Sequence, residues 1–416
     1  MMNKDKHIPS GYKPSPLGPI PEDWEVKRLG EVGSFSKGSG VPKDKIISEG
    51  HPCLTYGDLY TKYDFVIKDI KSFIDEDTSK ESKEINAGDI CFAGSGETPE
   101  DIGKCAAYLE NCPAYAGGDI VILSPNNNIN SLWLSYFLNS DIGGKQRYKF
   151  AQGFSIVHIY PDNLKQIQIP VPPLPEQQRI VSVLSLWDTA IAKQTALIEK
   201  LTLRKRGLMQ QLLTGKKRLK GFCGEWKEVR LGEVGKFAGG CAFNEQEQGG
   251  QTGIPFYKVS DMNLSGNESK MNIANNYVTH EQIERLGYIV IENEAIIFAK
   301  VGAAIALERK RYAKNFIIDN NMLAYIPINN IWFMKYWFDS ISLSKYIQVG
   351  ALPSYNASDL SIIKLKMPSL KEQNAIASVL VNADKEIELA NKKLARLQEE
   401  KRGLMQVLLT GKRRIK

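Results

Sequence analysis

A sixteen-residue segment occurs twice in this chain of 416 residues, and no other feature limits its possible folds as much. Residues 205–220 read KRGLMQQLLTGKKRLK and residues 401–416 read KRGLMQVLLTGKRRIK. They differ only at Gln211/Val407, Lys217/Arg413 and Leu219/Ile415. A second pair lies upstream, RLGEVG at 28–33 and again at 230–235. Between these anchors the two halves share little. A chain that repeats its frame and varies the contents is suited to hold two different modules in one symmetric geometry. That is a device for reading something, and less obviously one for catalysis. The repeat is also circular. The first copy runs on into Gly221-Phe222 and then GEWKEVRLGEVG, whereas Gly11-Tyr12 followed by EDWEVKRLGEVG supplies the continuation that the second copy lacks. This predicts a closed, pseudo-two-fold object whose ends meet. A linear solenoid would need more copies of a shorter unit.

Aligning the copies divides the chain into an extended leader (1–23), a variable region (24–171), a helical segment (172–215), a second variable region (216–367) and a second helical segment (368–416). In the first helical segment Leu184, Trp187, Ile191, Ile198, Leu201, Leu208 and Leu212 fall on alternating three- and four-residue steps. Ile376, Leu380, Ala383, Ile387, Ala390, Leu394, Leu397, Leu404 and Leu408 do so in the second. This spacing is a heptad seam. Pro175 suits a first helical turn, Ser369 with Glu372 reads as a capping box, and Gly215 and Gly411 stand where a left-handed cap ends a helix. About 38 residues at 1.5 Å each make a rod of roughly 55 Å, and two such rods, each following an equivalent module, should pair antiparallel. Lys205 and Lys401 interrupt the seam at matching places, as does Gln194. The lysines either snorkel outward near the helix ends or fix the register of the pair.

The variable regions read as mixed α and β. Ile120 to Leu123, Leu323 to Ile326, and the apolar stretches ending at Ala93 and Ala299 suggest strands. Leu132 to Leu138 and Trp332 to Phe338 suggest helices. The fold class is therefore α+β: two mixed α/β domains and two long helices forming an antiparallel coiled coil. No apolar run reaches the roughly 18 residues of a membrane span, and the leader has no apolar core of the secretory kind. Six cysteines without CxxC spacing read as reduced thiols of a cytoplasmic protein, and four scattered histidines do not suggest zinc. The net charge of +7, from 54 basic and 47 acidic side chains, leans toward a polyanionic partner.

No catalytic constellation emerges. Glu-x-Lys occurs at Glu81, Glu225, Glu268 and Glu399, but none follows a convincing strand bearing an aspartate. Thr214-Gly215-Lys216 and Thr410-Gly411-Lys412 lack the rest of a phosphate loop and read as helix stops. What recurs instead are polar, glycine-bearing loops at matched places, where backbone can approach a ligand and side chains can reach phosphates and base edges. In the first half the candidate DNA contacts are Lys37, Ser39, Lys43, Tyr56, Gln152 and Ser155. In the second they are Phe243, Asn244, Lys258, Lys300, Ser354 and Tyr355.

With these residues in view, the chain resembles the DNA-specificity subunits of type I restriction-modification systems over nearly its whole length. The marks are EVKRLGEVG and EVRLGEVG opening the halves, Tyr257-Lys258-Val259-Ser260-Asp261-Met262 with a weaker copy at Tyr56-Gly57-Asp58-Leu59, PVPPLPEQQRIVSVL and KMPSLKEQNAIASVL opening the helices, and KRGLMQ(Q/V)LLTGK closing them. The resemblance implies two target-recognition domains, each reading half of a split double-stranded DNA target, and helices that set the unread gap. It implies two modification subunits as partners, docked on the helices, for which Leu184, Ile191, Ile198, Leu380, Ile387 and Leu394 are candidates. In the family, restriction subunits add ATP-driven translocation and cleavage. S-adenosylmethionine, ATP and Mg would belong to those partners, with no cofactor, metal or catalytic residue on this chain. The competing readings are a coiled-coil scaffold with degenerate reading domains, and a self-contained nuclease or methyltransferase. Removing one heptad from one helix should alter the gap and leave the half-site sequences unchanged.

Overall fold

The computed structural model describes residues 8–153, 156–348 and 353–415. The chain forms two compact units, Met1–Thr195 with Lys393–Lys416, and Ala196–Lys392. Two 39-residue helices, Leu174–Leu212 and Leu370–Leu408, each contribute one end to each unit.

In the first unit a five-stranded sheet runs in the order Gly33–Lys37, Ile120–Pro125, Ile90–Ala93, Cys105–Tyr108, Val66–Ile67. Its central strands are buried on both faces, so they read as continuous apolar runs and not as alternating ones. Alternate side chains still go to opposite sides. Phe92, Val121 and Leu123 pack under the long helices, while Cys91, Ile120 and Ile122 face a second core. The second unit repeats this plan with Gly235–Gly239, Met322–Pro327, Ala295–Ala299 and Lys310–Ala313. Phe298, Leu323 and Tyr325 lie on the helix side, and Ile297, Met322 and Ala324 on the other. Each domain enters and leaves through a two-stranded clasp. Glu25–Arg28 pairs with Gln168–Val171, and Lys227–Arg230 with Lys364–Met367. The repeated RLGE box closes each clasp: the Arg28 and Arg230 amides donate to Glu31 and Glu233 at 2.7 and 2.9 Å, and Leu29 and Leu231 are buried below. A domain whose ends are pinned side by side can change its contents without disturbing its frame.

The short helices Ser131–Leu138 and Ile331–Ser340 start on the side chains of Asn130 and Asn330, which accept from Trp133 and Phe333. Both long helices stop at a left-handed glycine, Gly215 at φ 69° and Gly411 at φ 70°. The Gly215 and Gly411 amides donate to the carbonyls of Leu212 and Leu408, and the amides of Lys217 and Arg413 reach back to those of Gln211 and Val407, so the last carbonyls of each helix are satisfied. Ser369 caps its helix, its Oγ accepting from the Glu372 amide at 3.4 Å, but the expected capping box does not form. The Glu372 carboxylate instead accepts from the Arg218 guanidinium at 2.6 and 2.7 Å and from the Trp226 indole at 3.2 Å. Glu176 does the same with Arg414 and Trp24. A buried carboxylate satisfied by a forked guanidinium gains more there than from one exposed amide. Beside it, Gln177 and Gln373 each donate to a proline carbonyl (Pro172, Pro368) and accept from Asn130 or Asn330.

In the first unit the leader pairs as Tyr12–Lys13 with Ile20–Pro21. The Tyr12 hydroxyl donates to the Gly411 carbonyl at 2.8 Å, and Arg414 spans Asp23 and Glu176. The described leader therefore meets the turn that follows the second long helix, as the circular repeat implies.

Within each unit the helix segments run antiparallel. Ile180 and Leu184 share a core with Leu408 and Met405, and Leu212 shares one with Ile376 and Leu380. The seam lysines do not snorkel. Lys401 is 5% exposed and bonds Asp188, whose other oxygen accepts from the Tyr136 hydroxyl at 2.5 Å. Lys205 bonds Asp384 at 2.5 Å, and Tyr336 donates to Asp384 at 2.6 Å. Burial holds the Lys401 ammonium below its usual range, and Asp188 pulls it partly back.

Candidate nucleic-acid interface

The two domains differ most in loops, yet the main-chain frame beneath two of those loops is the same. In the first unit Ser95–Gly96, just past the central strand, pairs with Val157–His158, and Gln152 bridges His158. The Ile159 amide donates to the Gly94 carbonyl at 3.0 Å. In the second unit Val301 bridges Ser354, Gln348 bridges Ser354, and the Tyr355 amide donates to the Lys300 carbonyl at 2.9 Å. Gly94, Gln152, His158 and Ile159 thus stand opposite Lys300, Gln348, Ser354 and Tyr355. One backbone cradle carries different side chains in the two domains, as unlike readers of one kind of ligand require.

Of the first-half candidates, Lys37, Ser39, Lys43, Tyr56 and Gln152 are exposed, and Ser155 lies outside the described residues. Lys37 ends an edge strand opposite Val121, and the Ser39 hydroxyl donates to the Glu81 carbonyl at 3.3 Å. Tyr56 opens the helix Tyr56–Thr61, which is tied to the cradle by Tyr60 donating to the Ser95 carbonyl at 3.1 Å. Burial pushes the Tyr60 phenol up to about 12, so it remains a donor. The structure gives the register of the weaker copy. Thr55 and Lys258 both donate their amides to an aspartate three residues on, Asp58 and Asp261. Tyr56 is therefore matched with Val259.

In the second half, Asn244 is exposed, and Lys258, Lys300 and Ser354 are half-buried. Lys258 Nζ donates to Gln248, which donates to the Phe243 carbonyl, so these three residues gather into one cluster. The Phe243 ring is half-buried, one face stacked on Phe256 at 3.7 Å at the edge of a hydrophobic core. Tyr355 is 5% exposed, edge-on to Phe298, and its buried hydroxyl has no partner. Apolar neighbours make the Tyr355 ring a packing group and not a surface contact. Similarly, Leu184 and Leu380 are fully buried in the cores of their units and offer no surface for docking. Ile191, Ile198, Ile387 and Leu394 are half-buried.

Sequence reasoning missed His158. Its Nδ1 lies 3.0 Å from the Ser95 hydroxyl, and its ring stacks beside the exposed Tyr160 at 6.2 Å. The signal available was the six-residue step from Gln152 to His158, repeated from Gln348 to Ser354. Arg147 was also missed. Its guanidinium is buried behind this cradle, donates to the Ile102 carbonyl at 2.8 Å, and leaves Nε unpaired. No helix among the described residues is long and apolar enough to cross a membrane, and they contain no cluster of metal-ligating side chains.

Comparison with known proteins agrees with this geometry. The family model described as "Type I restriction modification DNA specificity domain" matches twice, at residues 21–203 and 224–399. The chain is similar to a Methanocaldococcus jannaschii protein provisionally named type I restriction enzyme MjaX specificity subunit, 30% identical over 97% of both chains. A solved chain from work on complex assembly and conformational transition of the type I R-M system superposes with a TM-score of 0.61 at 18% identity, covering 94% of this chain and 99% of that one. The type I restriction-modification S subunit of M. genitalium gives 0.55 at 17% identity, covering 93% and 96%.

Proposed function

Because the chain belongs to the type I restriction-modification DNA specificity family, we propose that it is the sequence-reading subunit of such a complex, each domain binding one half of a bipartite, asymmetric target. The observation that carries this reading is the shared cradle. Gly94, Ser95 and His158 in one domain and Lys300, Val301 and Ser354 in the other place different side chains on the same backbone, a hydroxyl and an imidazole against an ammonium and a hydroxyl. Direct readout depends on such donors and acceptors meeting base edges, while phosphate contacts only position the protein. Exposed Lys37, Lys43 and Asn244, with half-buried Lys258 and Lys300, suit positioning, and His158, Gln152 and Ser354 suit reading. Unlike side chains predict unlike half-sites.

In this reading the long helices set the gap between half-sites, since half-site spacing follows from how the reading elements are carried. Modification subunits dock on the exposed helix faces, and with Leu184 and Leu380 taken up by the core, Leu186 and Leu389, 70% and 65% exposed, are better placed for that contact. S-adenosylmethionine, ATP and Mg serve the modification and restriction subunits, this chain holds no catalytic group of its own, and the complex works in the cytoplasm. Footprinting the chain with its cognate modification subunits, together with methylome sequencing of cells carrying both, should show two protected and modified half-sites around an insensitive gap. One contiguous footprint, or DNA turnover by the purified chain alone, would overturn the proposal. Binding that is negligible and indifferent to salt would point instead to a scaffold, because phosphate contacts release counterions.

A further inference from the structure

The same three-element contact occurs once in each unit. Asp188 on the first long helix meets Lys401 on the second and Tyr136 on the domain's short helix. Asp384 on the second helix meets Lys205 on the first and Tyr336 on the other domain's short helix. The lysine ammoniums also lie against rings, Lys401 at 3.9 Å from the Phe65 centroid and 4.9 Å from Tyr136, and Lys205 at 5.2 Å from Tyr336. Packing alone does not ask for these charges. Lys401 is buried and Lys205 half-buried, and an ion pair drawn out of water is a poor stability device because desolvation offsets its attraction, whereas its best-attested use is to select one register. Each aspartate is engaged from two sides, so a slip of either helix or of the domain leaves buried Lys401 or half-buried Lys205 without its carboxylate.

A second tie acts on the same short helix. Gln177 and Gln373 accept from Asn130 and Asn330, the residues that cap it. Gln177 and Asp188, like Gln373 and Asp384, are 11 positions apart on their long helices, which is about 16 Å of rise. One tie would leave each domain free to pivot on its helix segments, whereas two ties fix a direction.

We infer that the Asp188–Lys401–Tyr136 and Asp384–Lys205–Tyr336 triads are positioning latches. Each sets the angle at which a recognition domain is carried on the helix segments of its own unit, and so restricts the target to one gap length. This rests on the function proposed above. The test uses the full chain assembled with its modification subunits and a DNA library that keeps both half-sites and varies the gap by single base pairs. The unaltered chain should methylate one gap length. Lys401→Met, which keeps the side chain's bulk, and Tyr136→Phe, which removes one hydroxyl, should leave both half-sites unchanged. They should raise methylation at gaps one base pair longer or shorter by about tenfold, the scale of one lost charge-assisted hydrogen bond. A merely structural role would lower methylation at every gap alike and keep the same preference, which would overturn the inference. Should Lys401→Met fail to fold, Tyr136→Phe decides alone. An unaltered chain with no gapped target would sink both readings, whereas a gapped target with indifferent variants would sink only the latch.

Discussion

Gly215 and Gly411 share a backbone conformation but not a setting. A Cβ on Gly215 would rest at an ordinary 3.5 Å from the Trp226 ring, whereas one on Gly411 would come within 2.5 Å of Pro21 Cδ. Gly215→Ala should therefore cost about 1–2 kcal/mol, the usual left-handed penalty. Gly411→Ala should cost clearly more, because the leader must shift as well. Equal losses in chemical denaturation would refute this. Asp141 is held below the ordinary carboxylate range, first by its hydrogen bonds to Arg402, which tie the first domain to the second helix. A depressed carboxylate stabilises fully above its unfolded value near pH 4, and that stabilisation is lost as pH falls through the lower folded value. Asp141→Asn should flatten this acid limb of the stability profile, by under about 1 kcal/mol because the pair is partly exposed. The glycine stops and the Ser369 cap were legible in the sequence because each is a local matter of a few residues. The partner of Glu372 was not, because Arg218 and Trp226 approach from 154 and 146 positions away.

The long helices were legible as elements, since a heptad seam sustained over five repeats has no other good reading. Their use was only half legible. A seam position says that a side chain is covered and does not say by what, so Leu184 and Leu380 could be taken for docking residues when their own domains cover them. Leu184→Ala should cost about 2–5 kcal/mol, as emptied core sites do. Leu186→Ala, two positions on and 70% exposed, should stay within about 0.5 kcal/mol of the unaltered chain. Thermal or denaturant unfolding separates the two, and comparable losses would mean that the seam is misassigned. The strand pairs at Ile120–Pro125 and Met322–Pro327 were visible as apolar runs. Which face of each went to which core was not, because strands buried on both sides lose the alternation that marks an exposed face.

At the scale of the molecule, the equal spacing of the latches refines the helix-shortening experiment. Asp188 and Lys205 are 17 positions apart on one helix, as are Asp384 and Lys401 on the other. Removing seven residues from one helix alone would mismatch them, whereas removing seven from both between the latches keeps each triad within its unit. The matched deletion removes about 10 Å of helix. It should shorten the recognised gap by up to about three base pairs and leave both half-site sequences unchanged, as methylome sequencing would report. A changed half-site, or an unchanged gap, would contradict the proposed role of the helices. By itself the sequence determined the repeated frame, the two long helices with their glycine stops, the contact of the leader with the close of the second helix and the family, because these are written in local periodicity and in copied words. Only the tertiary structure decided which matched loops form a common cradle, that Tyr355 belongs to packing, and that each seam lysine pairs with an aspartate of the facing helix. Those outcomes depend on contacts between residues far apart in the chain, and no local pattern encodes which distant side chain will arrive.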